Sequence, residues 1–519
     1  MQTATQSGKV LYYNKEWNLS VPPNSSVSRF KSDWFGSPHR VAILLVLAVS
    51  LLHLVFMGQI ALTNDEAQYA LYGYYPDWSY FDHPPLSGWL NAFTLIFSAS
   101  DFALRLWPVL LSALTSYLLY GFSRDLYPDK SPWLATIAVA VYQGSVITQI
   151  LGLAMLPDTP LIPASIAATW LLYKTLKHNQ PHLWIYVGLL FGLAGLSKYT
   201  AVTLVLTAVL MLFIFKAYKV LLTAWPWLAM IIAAIVITPV LYWNMQHDWI
   251  SISYQLGHGA PAKSWQLGNL LTSQLSQLIS YTPLVFITGL LAMFGCRKGA
   301  DKADATLLAF ALPVLVLFGW NSGYEQSLPH WTAIGWIALS PLIAKWLLEN
   351  WHSKIVRVFS YLGVTYSLLM AIGLHLALAT SLIPFKDNQH PLEDLYGWQK
   401  VAQHAVALQQ QMKTEMPGKP AFIFVGNWSQ FSRLAWYARP TPVQVTDQRF
   451  GQSDIWYGSP QPGSNGILVV PPKYKNKAGT NGLDKFSQCH LVENVEQRLK
   501  NKIAATYQLY KCINYKGEL

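Results

Sequence analysis

Charge is what this chain has least of. Only 12% of its 519 residues are Asp, Glu, Lys or Arg, while 53% are apolar; ordinary soluble proteins carry about a quarter charged. So few charges cannot solvate the surfaces of several soluble domains, so most of the chain needs an apolar solvent. Cysteine is nearly missing: three residues, none in a CxxC pair. A disulfide-built scaffold and a clustered zinc site are thereby excluded. No GxGxxG or Walker sequence stands between a strand and a helix, which excludes those nucleotide sites. No internal repeat is visible, and this weighs against repeat-built secondary transporters. The formal charge of +11 invites a nucleic-acid partner, but no basic helix with interleaved stacking aromatics carries it, so no nucleic acid is expected.

Long apolar runs, by contrast, are abundant. A hydrocarbon core of about 30 Å needs roughly 20 residues of helix. Residues 41–62 are uncharged throughout. Ten more stretches follow at 103–122, 132–151, 160–176, 182–197, 200–215, 222–243, 281–296, 305–320, 331–347 and 356–384. The reading is therefore an α-helical polytopic membrane protein of about eleven spans. Twenty-two Trp and 28 Tyr suit aromatic belts at two membrane–water boundaries.

Lys and Arg set the orientation. Before residue 385, the outer loops hold only Arg105, Lys198 and Lys263, whereas the alternating inner segments hold seventeen, from Lys9 to Arg357. The N-terminus is placed in the cytoplasm. Residues 1–40 are polar, with neither a basic-then-apolar start nor a small-residue cleavage site, so they read as a cytoplasmic tail and not as a signal peptide. Residues 41–384 form the membrane domain, and an odd number of spans puts residues 385–519 outside. There Lys and Arg become frequent, and Gly, Pro and Asn punctuate the chain. Trp398–Met412 and Ser429–Tyr437 have helical spacing. Ala421–Val425 and Gly466–Val470 read as buried strands, and Ile503–Tyr515 as a strand pair or helix–strand. Together these make a small α/β domain. Cys489 and Cys512 both fall in it, in an oxidising compartment if that is a periplasm, and their bonding is left open.

The first outer loop, 63–102, concentrates the chemistry. Asp65, Glu66, Asp77 and Asp82 fall within 18 residues. Asp65 and Glu66 directly follow a span, where an unpaired carboxylate is costly and implies a partner. Tyr69 lies four residues after Asp65, on one helical face; a bland alternative makes Asp65 a helix cap. After Asp82-His83 come two prolines, which pin the loop and open a helix. Asp158 stands between Pro157 and Pro160 at the outer end of two spans. Lys198 is a cation at an outer turn, suited to a lipid phosphate or to snorkelling. Pro329-His330-Trp331 opens the tenth span. In the 244–280 loop, His258 with Asp82 is a possible divalent-metal pair, and no cofactor is certain.

The DE pair after the first span, then Tyr, then aromatic-acidic-basic-Pro-Pro before the second resembles the bacterial relatives of protein O-mannosyltransferases. These include the lipid A aminoarabinose and galacturonic acid transferases. The likeness is carried by residues 63–90, 152–160, 195–200 and 328–341. It implies a type-C glycosyltransferase fold and a polyprenyl-phosphate sugar donor. It further implies Asp65, with Glu66 and Asp158, at the reacting centre. Tyr69, Asp82, His83, Lys198 and His330 would bind substrate or phosphate. The aminoarabinose enzymes carry Lys where this chain has His83, a weaker phosphate clamp, which puts that sugar in question. A sugar would pass to a lipid A-like or surface glycan acceptor on the outer face of the inner membrane, with inversion. A protein O-mannosyltransferase-like enzyme and a solute or lipid transporter are the alternatives.

The topology is open to a direct check. A reporter active only outside the cytoplasm is expected to work when fused after residue 385 and to fail when fused after residue 300; the reverse pattern overturns the orientation.

Overall fold

The computed structural model describes residues 37–259, 264–296, 299–325, 327–379, 384–475, 477 and 479–517, without the side chains of 258–259 and 378–379. The expected tail 1–40 lies almost wholly outside the described residues, as do Lys263 and the His258 side chain.

Each of the eleven apolar stretches is helical, yet they are unequal. Among the described residues, five helices are long and apolar enough to cross a bilayer by themselves: Pro38–Phe56, Asp101–Leu126, Trp225–Gln246, Lys302–Asn321 and Lys354–Ala377. The number is seven if each of two bent pairs is one span. Shorter apolar helices at Trp133–Gln143, Leu183–Ser197 and Tyr199–Ile214 occupy further stretches of the expected eleven. The causes of the breaks are local. Leu267–Ser280 and Thr282–Gly295 meet at 112°, where Thr282 takes φ 65° ahead of Pro283. A residue before proline is pushed out of the α region. Residues 132–151 split at Gly144-Ser145, and side chains satisfy the backbone freed there. Thr148 Oγ1 donates to Tyr142 O at 2.6 Å, Gln149 Nε2 to Gln143 O at 2.5 Å, and Ser145 Oγ to Tyr281 O at 3.2 Å. Non-helical backbone at membrane depth requires such partners.

The first span ends in a knot around one arginine. Arg105 donates through Nη1 and Nη2 to the carbonyls of Met57, Ile60 and Ala61. Its Nε and Nη2 bind the two carboxyl oxygens of Glu66 at 2.6 and 2.9 Å. Both side chains are 3% exposed. Glu66 also closes a capping box at the start of the Asn64–Tyr74 helix: it accepts from Thr63 N at 2.9 Å, and Thr63 Oγ1 accepts from Glu66 N at 3.3 Å. Two orphan helix donors are thus satisfied reciprocally. The diproline opens the Leu86–Leu95 helix as the sequence suggests. This helix packs on Asn64–Tyr74 through glycine: a Cβ on Gly73 would lie 2.7 Å from Ala92 N, and one on Gly88 2.7 Å from Tyr72 Cβ.

From residue 385 the chain builds a five-stranded sheet of order β2-β1-β3-β5-β4, with β1 at Ala421–Val425, β2 at Val443–Val445, β3 at Asn465–Val470, β4 at Phe486–Leu499 and β5 at Lys502–Tyr515. The first three pair in parallel and the last two are antiparallel. Residues 503–515 are therefore one strand, and its partner β4 was not foreseen. A bond joins Cys489 to Cys512 at facing positions of β4 and β5. Helices Trp398–Glu415 and Trp428–Ala438 lie over the sheet. Their core is continuous with the first outer loop: Leu62, Ala67, Ala70, Leu71 and Leu104 share one buried cluster with Trp398, Ile423, Leu434 and Trp436. Polar bonds tie the same seam. Tyr437 OH accepts from Leu62 N at 2.9 Å and donates to Asp101 Oδ2 at 2.6 Å, and Ser432 Oγ donates to Gln68 Oε1.

Removing one partner of a buried ion pair strands the other. Glu66→Gln is expected to destabilise the fold by about 3–5 kcal/mol, read as a lower melting temperature in detergent, while the protein that remains folded keeps its specific activity.

Candidate active site

With Thr63 and Glu66 fixing the start of the Asn64–Tyr74 helix, Asp65 is not its cap. Both oxygens of Glu66 accept from Arg105, and Oε2 also accepts from Thr63 N. Asp65 is open to solvent on one side. Desolvation by the surrounding protein raises its carboxyl above the usual range, and the neighbouring Glu66 charge adds to the rise; Arg433 and Lys198 oppose it. Tyr69, one helical turn on, is buried beside Asp65, Asp82 and Asp158, and desolvation pushes its phenol well up.

Loop residues 80–83 have no regular structure of their own, and four contacts fix them. Tyr80 OH donates to Tyr72 O at 2.6 Å. Ser251 Oγ donates to Tyr80 O at 2.9 Å, and Gln255 Nε2 donates to Asp82 O at 2.7 Å. From the soluble domain, Gln452 Oε1 accepts from Phe81 N at 2.7 Å. The loop carries His83, whose ring centroid lies 5.8 Å from that of Tyr69. Burial, together with the nearby Lys198 charge, lowers the His83 imidazole to about 3. Near pH 7 such a ring is uncharged, and it can still hydrogen-bond a ligand. Its Nδ1 is buried without a protein partner.

Asp158 opens the Asp158–His178 helix after Pro157. Its carboxyl oxygens accept from Lys198 Nζ at 2.9 and 2.8 Å. Both side chains are buried. Lys198 occupies the extended break between Leu183–Ser197 and the helical segment that follows. The expectation set Lys198 apart as a phosphate partner at the membrane edge, but the structure pairs it inside the site. Two of the three ammonium protons serve Asp158, and the third remains for a ligand. His330 Nε2 stands 4.0 Å from Asp158 Oδ2, held there by a turn in which Tyr281 OH donates to Pro329 O at 2.8 Å.

Residues 65, 69, 82, 83, 158, 198 and 330 thus gather at one end of the helices, brought together from four separate stretches of sequence. Among the described residues, no group of three or more His, Cys, Asp and Glu could hold a metal ion. Asp82 has Arg449 Nη2 at 3.7 Å, and its pairing with His258 lies outside the described side chains. The α/β domain's share was missed: Arg433, Arg449 and Gln452 reach this site from far along the chain, Gln452 meeting Phe81 across 371 residues, and no local pattern links positions so far apart.

Apolar helices joined to a small α/β domain make a type-C glycosyltransferase-like fold. A family model described as dolichyl-phosphate-mannose-protein mannosyltransferase matches residues 82–243. Lipid A galacturonosyltransferase RgtD of Rhizobium johnstonii is 24% identical over 389 residues, 73% of this chain and 79% of its own length. The crystal structure of ArnT from Cupriavidus metallidurans in the apo state superposes with a TM-score of 0.60 at 14% identity, covering 90% of this chain and 97% of its own. The same protein bound to undecaprenyl phosphate gives 0.60 at 13% identity, with the same coverage. The chain is thus similar to these glycosyltransferases over part of its sequence, and it shares the fold of ArnT.

A raised carboxyl loses its ionised form at a higher pH than a free aspartate does. A reaction that needs Asp65 ionised is expected to lose rate as pH falls through a midpoint above the ordinary carboxylate range. Because the Arg433 charge opposes the rise, Arg433→Gln should move the acid limb of kcat/KM to still higher pH; an unmoved limb breaks the link between the two groups.

Proposed function

We propose that this chain transfers a sugar from a polyprenyl-phosphate carrier to a lipid A-like or surface glycan acceptor, on the outer face of the cell inner membrane and with inversion at the anomeric carbon. The observation that carries the reading is the clustering of Asp65, His83, Asp158, Lys198 and His330 at one end of the membrane helices. A polyprenyl tail leaves the bilayer only at about 0.8 kcal/mol per CH₂, so the donor phosphate has to react at that level. The phosphate is already a good leaving group, and the protein's work is placement and charge. Lys198, held by Asp158, has one donor left to meet the departing phosphate, and the orphaned His83 Nδ1 is a further polar contact. Asp65 is the base, or the positioning carboxylate, for the incoming hydroxyl.

Several lines support this reading. ArnT, which shares the fold, has been solved with undecaprenyl phosphate, and RgtD is a lipid A galacturonosyltransferase. The excess of Lys and Arg in the alternate segments supports a cytoplasmic N-terminus and a periplasmic 385–519 domain. A protein acceptor is the second reading, favoured by the description of the family model that covers residues 82–243. A transporter would hold its acidic residues near the midplane, not in one cluster at the helix ends.

Asp65→Asn is isosteric and removes only charge. It is expected to cut sugar transfer from a polyprenyl-phosphate donor to less than about a tenth of the wild-type rate, because such catalysis contributes roughly 10²–10⁴-fold. Binding of undecaprenyl phosphate should survive. A variant that keeps most of the rate removes the base role.

A further inference from the structure

The soluble domain keeps its large apolar side chains inside, with few exceptions. Among the described residues from 385 onward, only Trp428, Phe450, Leu491 and Val492 are exposed large hydrophobics. The last two lie on β4, at the sheet's edge. Trp428 and Phe450, 47% and 48% exposed, instead flank one arginine. The Arg449 guanidinium carbon stands 3.8 Å from the Trp428 ring centroid, and the same group donates to Tyr254 OH and faces Asp82 of the reactive loop. The Phe450 ring lies 5.9 Å from Phe81, and Phe81 lies 4.7 Å from Tyr254. The arrangement is built rather than incidental. Asp447 fixes both halves, its Oδ2 accepting from Trp428 N at 2.8 Å and its Oδ1 from Arg449 N at 3.2 Å.

We propose that Trp428, Arg449 and Phe450 form the acceptor subsite and that it takes a phosphorylated saccharide, the sugar ring lying on the indole and the phosphate on Arg449. This rests on the glycosyltransferase reading above. The donor comes from the lipid side, pinned by its tail, and Lys198 and His330 belong to the membrane helices there. An inverting transfer needs the acceptor to approach the anomeric carbon from the opposite side. The soluble domain bounds that side, and at its rim against the Asp82 loop it presents an exposed aromatic pair and a cation. With Nη2 engaged by Tyr254 OH and 3.7 Å from the Asp82 carboxylate, the stacked guanidinium has its remaining N–H groups to offer a phosphate. Arg449 Nη2 already faces Tyr254 and Asp82, which hold the fork toward the loop. An exposed Trp and Phe beside such a cation are costly to keep without a ligand to cover them.

The test uses the full-length protein in nanodiscs and three probes: a soluble disaccharide bisphosphate, the same disaccharide dephosphorylated, and undecaprenyl phosphate. Wild type is expected to bind the bisphosphate more tightly than the dephosphorylated sugar. Arg449→Gln and Trp428→Ala should each weaken the bisphosphate about tenfold or more and leave undecaprenyl phosphate binding unchanged. Equal affinity for the two sugars, no bisphosphate binding to wild type, or an undiminished Arg449→Gln overturns the proposal. So does a parallel loss of undecaprenyl phosphate binding, which would make the patch structural. Should Arg449→Gln not fold, Arg449→Lys decides: it keeps the charge and loses the fork, so it must weaken the bisphosphate, and unchanged affinity overturns the idea. If wild type binds the sugar but not undecaprenyl phosphate, the donor assignment fails alone.

Discussion

Everything in the outer cluster depends on where the first span stops, and Arg105 decides that. A helix leaving the bilayer exposes carbonyls with no partner of their own. Here one guanidinium takes three such carbonyls and, in the same plane, both oxygens of Glu66. The end of the first span and the start of the next helix become one rigid piece. Asp65, the residue before Glu66, inherits that rigidity. A reacting carboxylate held on a flexible loop could not keep the fraction-of-an-ångström placement that catalysis by positioning requires. The glycine seam between the helices on either side of the 80–83 loop serves the same end by bringing their backbones into contact.

Charge in the site is arranged as much to be neutral at rest as to act. Asp158 and Lys198 compensate each other in a place where either alone would be costly, and His83 stays uncharged. What remains is Asp65, whose carboxyl is opposed by burial and supported by cations from both the membrane helices and the soluble domain. A ligand phosphate arriving beside Lys198 would not need to displace Asp158, because an ammonium has a third proton to give.

Much of this was legible from sequence, for reasons that can be named. Asp65, Tyr69, Asp82 and His83 lie close together in a loop that is acidic in a chain with little charge, so their local density shows. Asp158 and Lys198 are polar residues at breaks between apolar runs. The helices at 398 and 428 and the strands at 421 and 466 follow hydrophobic periodicity. The pairing of Glu66 was not legible, because adjacency to Asp65 says nothing of which way a side chain turns and its partner, Arg105, lies 39 residues on. Strand β4 escaped because half of its residues are exposed and only two are buried, leaving no apolar alternation to read. The bend at Thr282-Pro283 likewise leaves no mark in apolar character.

The buried cluster shared by residues 62–104 and 398–509 has a consequence for how the molecule comes into being. Residues 62–104 are synthesised well before the domain that completes their core. Until that domain folds, Leu62, Ala67 and Leu71 lack these partners, and the 80–83 loop lacks Gln452. The loop therefore takes its shape late, only once the α/β domain has folded.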